Sequence, residues 1–202
     1  MGLWDKLTGK ASKPPSQLRT TTAPDPIFLG KFLVFSLLES RFGLSEQETD
    51  ECVAELPEEL KDPGKLWAKL YLAWIFRMLV KAKYGDAFTE AMMSEVEVLM
   101  SRAQELSGEE SGLRNAFTFW FAKIDAVMPM AGKVINGQVV PFEVFAALAF
   151  LVSDSSSPYY NQEQTTNMAE FDVASAFIKV KDKVLPSLQR VVEIGAPVEV
   201  DG

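Results

Sequence analysis

The stretch AFTEAMMSEVEVLMSRAQEL, residues 87–106, decides the fold. Phe88, Met92, Val96, Leu99, Ala103 and Leu106 recur at spacings of 4, 4, 3, 4 and 3. Apolar positions three and four residues apart share one face of an α-helix, so this segment reads as an amphipathic helix with its stripe against a core. The same period extends on both sides. Residues 65–83, KLWAKLYLAWIFRMLVKAK, form a more apolar helix, which Asp62-Pro63 opens and Gly85 stops. Downstream, Leu113, Phe117, Trp120, Ile124 and Val127 place a further helix over 113–127, ending at MPMAG.

Toward the N-terminus, Asp25-Pro26 signals a cap and first helical residue. A helix is expected over Ile27–Arg41, with Phe28, Phe32, Phe35 and Leu38 on its inner stripe and Gly43 as its stop. Ser45 and Glu48 form a capping box for a short acidic helix that ends before Pro57. After residue 127 the period changes. KVINGQVVPF carries branched residues on both sides of Asn136-Gly137, the pattern of a two-residue hairpin turn. Pro141 then starts a helix to about Val152. A polar loop follows, and a last helix runs from about Met168 toward Ile194, with a kink expected at Pro186. The expected fold is all-α: a single helical-bundle domain of six or seven helices over residues 25–194, with one small β-hairpin near 133–140. Residues 1–24 read as a flexible basic N-terminal tail and 195–202 as a C-terminal tail.

Composition restricts the chemistry. The chain has 202 residues, 20 basic against 28 acidic, and a net charge of −8. An acidic protein is poorly suited to neutralising phosphates, so nucleic acid is not an expected partner. The chain contains no histidine and one cysteine, Cys52. Histidine-based triads, Cys-His pairs and zinc sites of ordinary composition are therefore excluded, and no metal or cofactor is expected. A lone cysteine fits a reducing compartment, and the longest apolar stretch, Leu66–Val80, is too short and too charged to span a bilayer. Cytoplasmic residence, with peripheral membrane contact as a variant, is the expectation.

Two apparent motifs fail. VMPMAGKVI has Val127 and Val134 where a phosphate loop needs glycine and a hydroxyl residue. DSSSPYYNQEQT has Tyr159 where a calcium loop needs glycine. FTFWF at 117–121 lies inside a helical stripe and reads as core packing, not as a base-stacking platform. Lys65, Lys69, Arg77 and Lys81 spread over an arc of the third helix too broad for a membrane-binding stripe.

Three surfaces stand out. The opening MGLWDKLTGK places Leu3, Trp4 and Leu7 on one helical face, with Lys6 and Lys10 nearby, on a proline-rich leash. It reads either as a weak anchor for an anionic membrane or a partner, or as a frayed terminus. Glu48, Glu51 and Glu55 belong to an acidic run, suited either to a basic partner or to solvent, with the third helix's lysines neutralising part of it. Tyr159 and Tyr160 sit in the polar loop as partner contacts or as a lid over the bundle. The leading functional expectation is a non-catalytic helical protein acting through protein contact, as an adaptor, inhibitor or regulator. Peripheral membrane attachment through the N-terminus is the alternative, and an enzyme using carboxylate, lysine or tyrosine chemistry is the third reading.

Overall fold

The computed structural model describes residues 19–20, 23–107, 113–135, 137–161, 168–195 and 198–199. The fold is an all-α helical bundle. Among the described residues its seven α-helices are α1 (Pro26–Phe35), α2 (Glu46–Val53), α3 (Glu58–Tyr84), α4 (Asp86–Ser107), α5 (Leu113–Val127), α6 (Phe142–Ser153) and α7 (Ala169–Ile194). The described residues also hold the two-residue strands β1 (Arg19–Thr20), β2 (Val134–Ile135), β3 (Gln138–Val139) and β4 (Val198–Glu199). β2 and β3 make the expected hairpin, with Val134 opposite Val139 and Ile135 opposite Gln138. The structure adds a pair that the sequence reading did not foresee: β1 runs antiparallel to β4.

The chain divides into two compact units. One comprises Met1–Gly43, Ile75–Ala116 and Leu185–Gly202, and the other Leu44–Trp74 and Phe117–Val184.

In the first unit α1 packs along α4. Asp25 caps α1, accepting from the Ile27 N–H at 2.9 Å, with Pro26 at the first helical position. Two details of this helix differ from expectation. Its α-helical part ends at Phe35, and the chain continues through a π-helical turn (Ser36–Ser40) and a 3-10 turn (Arg41–Gly43) in which Arg41 and Phe42 take positive φ. The buried face is also different: Leu29, Gly30, Leu33 and Val34 face inward, while Phe28, Phe32, Phe35 and Leu38 are half-buried. The segment PIFLGKFLVF is apolar nearly all round, so periodicity cannot select a face. The close approach of α4 selects it. A Cβ on Gly30 would stand 2.9 Å from the Met92 carbonyl oxygen and 3.0 Å from Glu95 Cβ. Gly30→Ala should therefore force the two helices apart. The overpacking cost exceeds the helix-propensity gain, for a net loss of about 1–2 kcal/mol, read as a lowered Tm. Of the predicted stripe on α4, Met92, Val96, Leu99 and Ala103 are in the core and Phe88 is half-buried. At the ends of this unit the Asp25 N–H donates to the Gly195 carbonyl at 2.6 Å, and the Tyr84 hydroxyl donates to the Val192 carbonyl at 2.5 Å.

In the second unit the Ser45–Glu48 capping box is present in both directions. α3 begins at Glu58, earlier than Asp62-Pro63 suggested, and Pro63 lies within it. Pro57 precedes the helix and accepts from the Leu60 N–H at 2.9 Å, so the first turn is already closed before Pro63 is reached. Pro63 is the sixth residue of α3, so it leaves the Glu59 carbonyl without its usual donor and its ring crowds that carbonyl, a local cost that the helix carries in its second turn. Beside it, a Cβ on Gly64 would stand 2.6 Å from Leu56 Cδ1, so the absence of a side chain admits Leu56 to the helix surface. The core of this unit gathers Leu60, Trp67, Tyr71, Ile124, Phe150, Leu151, Val173, Phe177 and Val180. Among the described residues, no helix is long and apolar enough to cross a membrane.

Candidate functional site

Trp67, Tyr71 and Trp74 sit at i, i+4 and i+7 on α3 and are all buried. An indole N–H or phenol O–H carried into a core needs an acceptor. Each of the three has an acid. Trp67 Nε1 donates to Asp154 Oδ2 at 2.5 Å, Tyr71 Oη to Glu143 Oε1 at 3.0 Å, and Trp74 Nε1 to Asp125 Oδ1 at 2.8 Å. The acids come from the end of α6, its start, and α5, so one helix face holds three partners in place. The rings stack as well: Tyr71 on Phe177 at 4.7 Å, Trp120 on Phe150 at 4.7 Å, and Trp74 on Phe142 at 5.3 Å.

Glu143 is the centre of this arrangement. Its carboxylate accepts from Tyr71 and pairs with the Lys181 ammonium from α7. Burial works to raise its pKa, but the hydrogen bonds from Lys181, its own backbone and Tyr71 outweigh that and hold the carboxyl below its ordinary value. Burial and the neighbouring carboxylate push the Tyr71 phenol far above its ordinary range. The acid and the phenol thus move away from neutrality in opposite directions, and neither is poised to exchange a proton at pH 7. What the cluster does is position: it ties α3, α6 and α7 together through one buried carboxylate. The Cys52 thiol, also buried, is pushed up by desolvation, which makes it a poor nucleophile.

The predicted site residues fall in several places. Leu3, Trp4, Lys6, Leu7 and Lys10 lie outside the described residues. Glu48 is engaged in the capping box, and its carboxyl is held below the ordinary range by the Ser45 backbone and side-chain hydrogen bonds. Glu51 and Glu55, one turn apart on and just beyond α2, meet Lys183 and Lys179 of α7 at 3.4 and 2.6 Å. The acidic run is thus neutralised in part by α3, through Lys65–Asp50 and Lys61–Glu58, and in part by α7. Tyr159 is half-buried, its N–H donating to Ser157 Oγ at 3.1 Å, while Tyr160 is exposed. Of FTFWF, Phe117, Trp120 and Phe121 are buried and Phe119 is exposed, so core packing accounts for most of that run. The aromatic–carboxylate contacts were missed in the sequence. Their signal was there: three ring donors at helical spacing in an apolar helix, and isolated acids inside the apolar runs around Asp125 and Glu143.

Three surface features remain. Tyr160, Met168 and Phe171 are exposed at the start of α7 and the loop before it. The β2–β3 hairpin exposes Val134, Ile135 and Val139. In the first unit a groove of about 360 Å³ is lined by Leu79, Ala82, Lys83, Gln189, Val192 and Glu193. Among the described residues no group of three acidic or cysteine side chains is gathered to hold a metal ion. The chain matches no protein-family model, no curated protein and no solved structure.

Proposed function

We propose that this is a non-catalytic helical protein of the cytoplasm that works through protein contact, as an adaptor, inhibitor or regulator. The observation that carries the reading is the exposure of Tyr160, Met168 and Phe171 on one unit, at the start of α7 and the adjoining loop. Large aromatic and methionine side chains are the anchors that interface cores favour, because they bury much area for few rotatable bonds. Asp154, in the same loop as Tyr160, is engaged by Trp67 and the Ser156 turn, while Glu170 and Asp172 flank Phe171 and give the apolar anchors an acidic rim. The partner this surface suits is a protein presenting an apolar cleft, and the chain's negative charge disfavours nucleic acid.

The test compares proteins recovered with the tagged full chain, with Tyr160→Asp/Phe171→Asp, and with Leu66→Asp as an exposed control on the same unit. A partner held by the wild type and the control, and depleted about tenfold by the double variant at unchanged Tm, is the expected result. Identical recoveries by all three would overturn it.

A further inference from the structure

We propose that the β2–β3 hairpin is a lipid-contact element, entering the headgroup boundary of an anionic membrane with Val134, Ile135 and Val139. The first argument is geometric. In an antiparallel ladder, residues directly opposite share a face, so Val134 and Val139 point one way and Ile135 and Gln138 the other. Val134 is 61% exposed, Val139 67% and Ile135 50%. Neither face of the hairpin is packed on the protein. A flat protein partner would cover one face and leave branched apolar side chains of the other in water, whereas a lipid layer surrounds both. The hairpin's outer backbone groups set the depth: their hydrogen bonds are unmet in hydrocarbon, so contact stops at the headgroup boundary and is reversible.

The second argument is charge. From Ala126 through Phe142 there is no acidic residue, and the single charge is Lys133, in a chain of net charge −8. The two acids that bracket this window are drawn inward within the same unit. Asp125 accepts from Trp74, and Glu143 is paired with Lys181 and Tyr71. The hairpin is therefore a stretch that can approach a negative surface without like-charge repulsion from the residues that adjoin it in sequence. Lys133 stands at its base, with its carbonyl accepting from the Val140 N–H at 3.1 Å and its exposed ammonium 3.0 Å from Met130 Sδ, a weak acceptor that a phosphate would displace. Valine and isoleucine, stiff at χ1, lose little rotamer freedom on insertion.

The experiment uses the purified full chain with vesicles of mixed phosphatidylcholine and phosphatidylglycerol, and with phosphatidylcholine alone. The wild type should co-sediment with the mixed vesicles, and Val134→Asp/Ile135→Asp should lower its partition by about tenfold at unchanged Tm. Leu3→Asp/Trp4→Asp separates any contribution of the N-terminus and should keep the hairpin-dependent part. Lys133→Glu should weaken binding to the mixed vesicles more than to phosphatidylcholine. An environment-sensitive fluorophore on Gln138→Cys, in a chain whose own Cys52 is buried, should brighten and shift to the blue only with mixed vesicles. Equal partition of wild type and hairpin variant, or unchanged probe emission, would overturn the proposal. So would loss of a protein partner from the hairpin variant when the wild type binds no vesicles, since that assigns the surface to protein. The vesicle measurements need only purified chain and lipid, so their outcome is independent of the Tyr160 and Phe171 comparison.

Discussion

Phe150→Ala should lower the free energy of unfolding by about 4 kcal/mol, within the range for removing a fully buried phenyl ring. Phe150 has no solvent exposure and lies between three rings: Trp120 at 4.7 Å, Trp67 at 5.9 Å, and Phe177 edge-on at 5.6 Å. The loss has two parts, the transfer of the ring and the cavity it leaves, and the second is large here because the neighbours cannot collapse. Of these rings Trp67 is anchored at its polar end by Asp154, and Phe177 is backed by Tyr71, which Glu143 holds. Against a typical domain stability of about 5–15 kcal/mol, the change removes a large share. Urea unfolding followed by tryptophan fluorescence measures it, with an unchanged slope confirming that the native state alone was altered. Phe150→Leu should cost about 1–2 kcal/mol, since most of the volume is kept. Exposed Phe119→Ala should cost under about 1 kcal/mol, and a loss there as large as at Phe150 would contradict this account of the core.

The contrast between α4 and α1 shows what a one-dimensional pattern can reveal. On α4 charged residues fill the outer face, so the inner face is defined by exclusion and the stripe Met92, Val96, Leu99, Ala103 was legible. On α1 almost every position is apolar, and the choice of Leu29 and Leu33 over Phe28 and Phe32 was made by Gly30, where α4 comes closest. That is a tertiary contact, and no period encodes it. Pro63 misled for a different reason: the helix starts at Glu58, five residues earlier, and proline in the second turn costs a hydrogen bond without ending the helix. Local chemistry was readable wherever both partners were near in sequence, as in the Ser45–Glu48 capping box and the β2–β3 hairpin. The contacts that organise the second unit join residues 87, 72 and 51 positions apart, and these depend on topology. The acidic run followed both patterns. Its neutralisation by Lys65 was legible from proximity, while the pairing of Glu51 and Glu55 with Lys183 and Lys179 required knowing that α7 lies against α2.

Lys181→Met should destabilise the protein by about 3 kcal/mol at pH 7, and the deficit should shrink as the pH falls. The size follows from what is left behind, a buried carboxylate whose charge has lost its partner. Glu143 is nearly inaccessible, and with Lys181 gone only Tyr71 and its own backbone remain to hold the charge. In the wild type the folded-state pKa of Glu143 lies below its unfolded value. The group therefore contributes stability above the unfolded pKa, and that contribution is lost as pH falls through the folded pKa. In the variant the balance reverses, because burial now dominates and raises the folded pKa above the unfolded one. Folding then takes up a proton. The variant is at its best below the ordinary carboxylate range and loses stability as pH rises through that range. The two stability curves should accordingly converge toward acid and separate toward neutrality, in chemical unfolding at a series of pH values. The double variant Glu143→Gln/Lys181→Met supplies the control. It carries no buried charge, keeps an acceptor for the Tyr71 hydroxyl, and should recover most of the loss at pH 7 with little pH dependence between it and the wild type above the carboxylate range. A Lys181→Met deficit that stays constant from neutral to acid pH would mean that packing of the lysine stem, and not the charge on Glu143, is what the contact supplies.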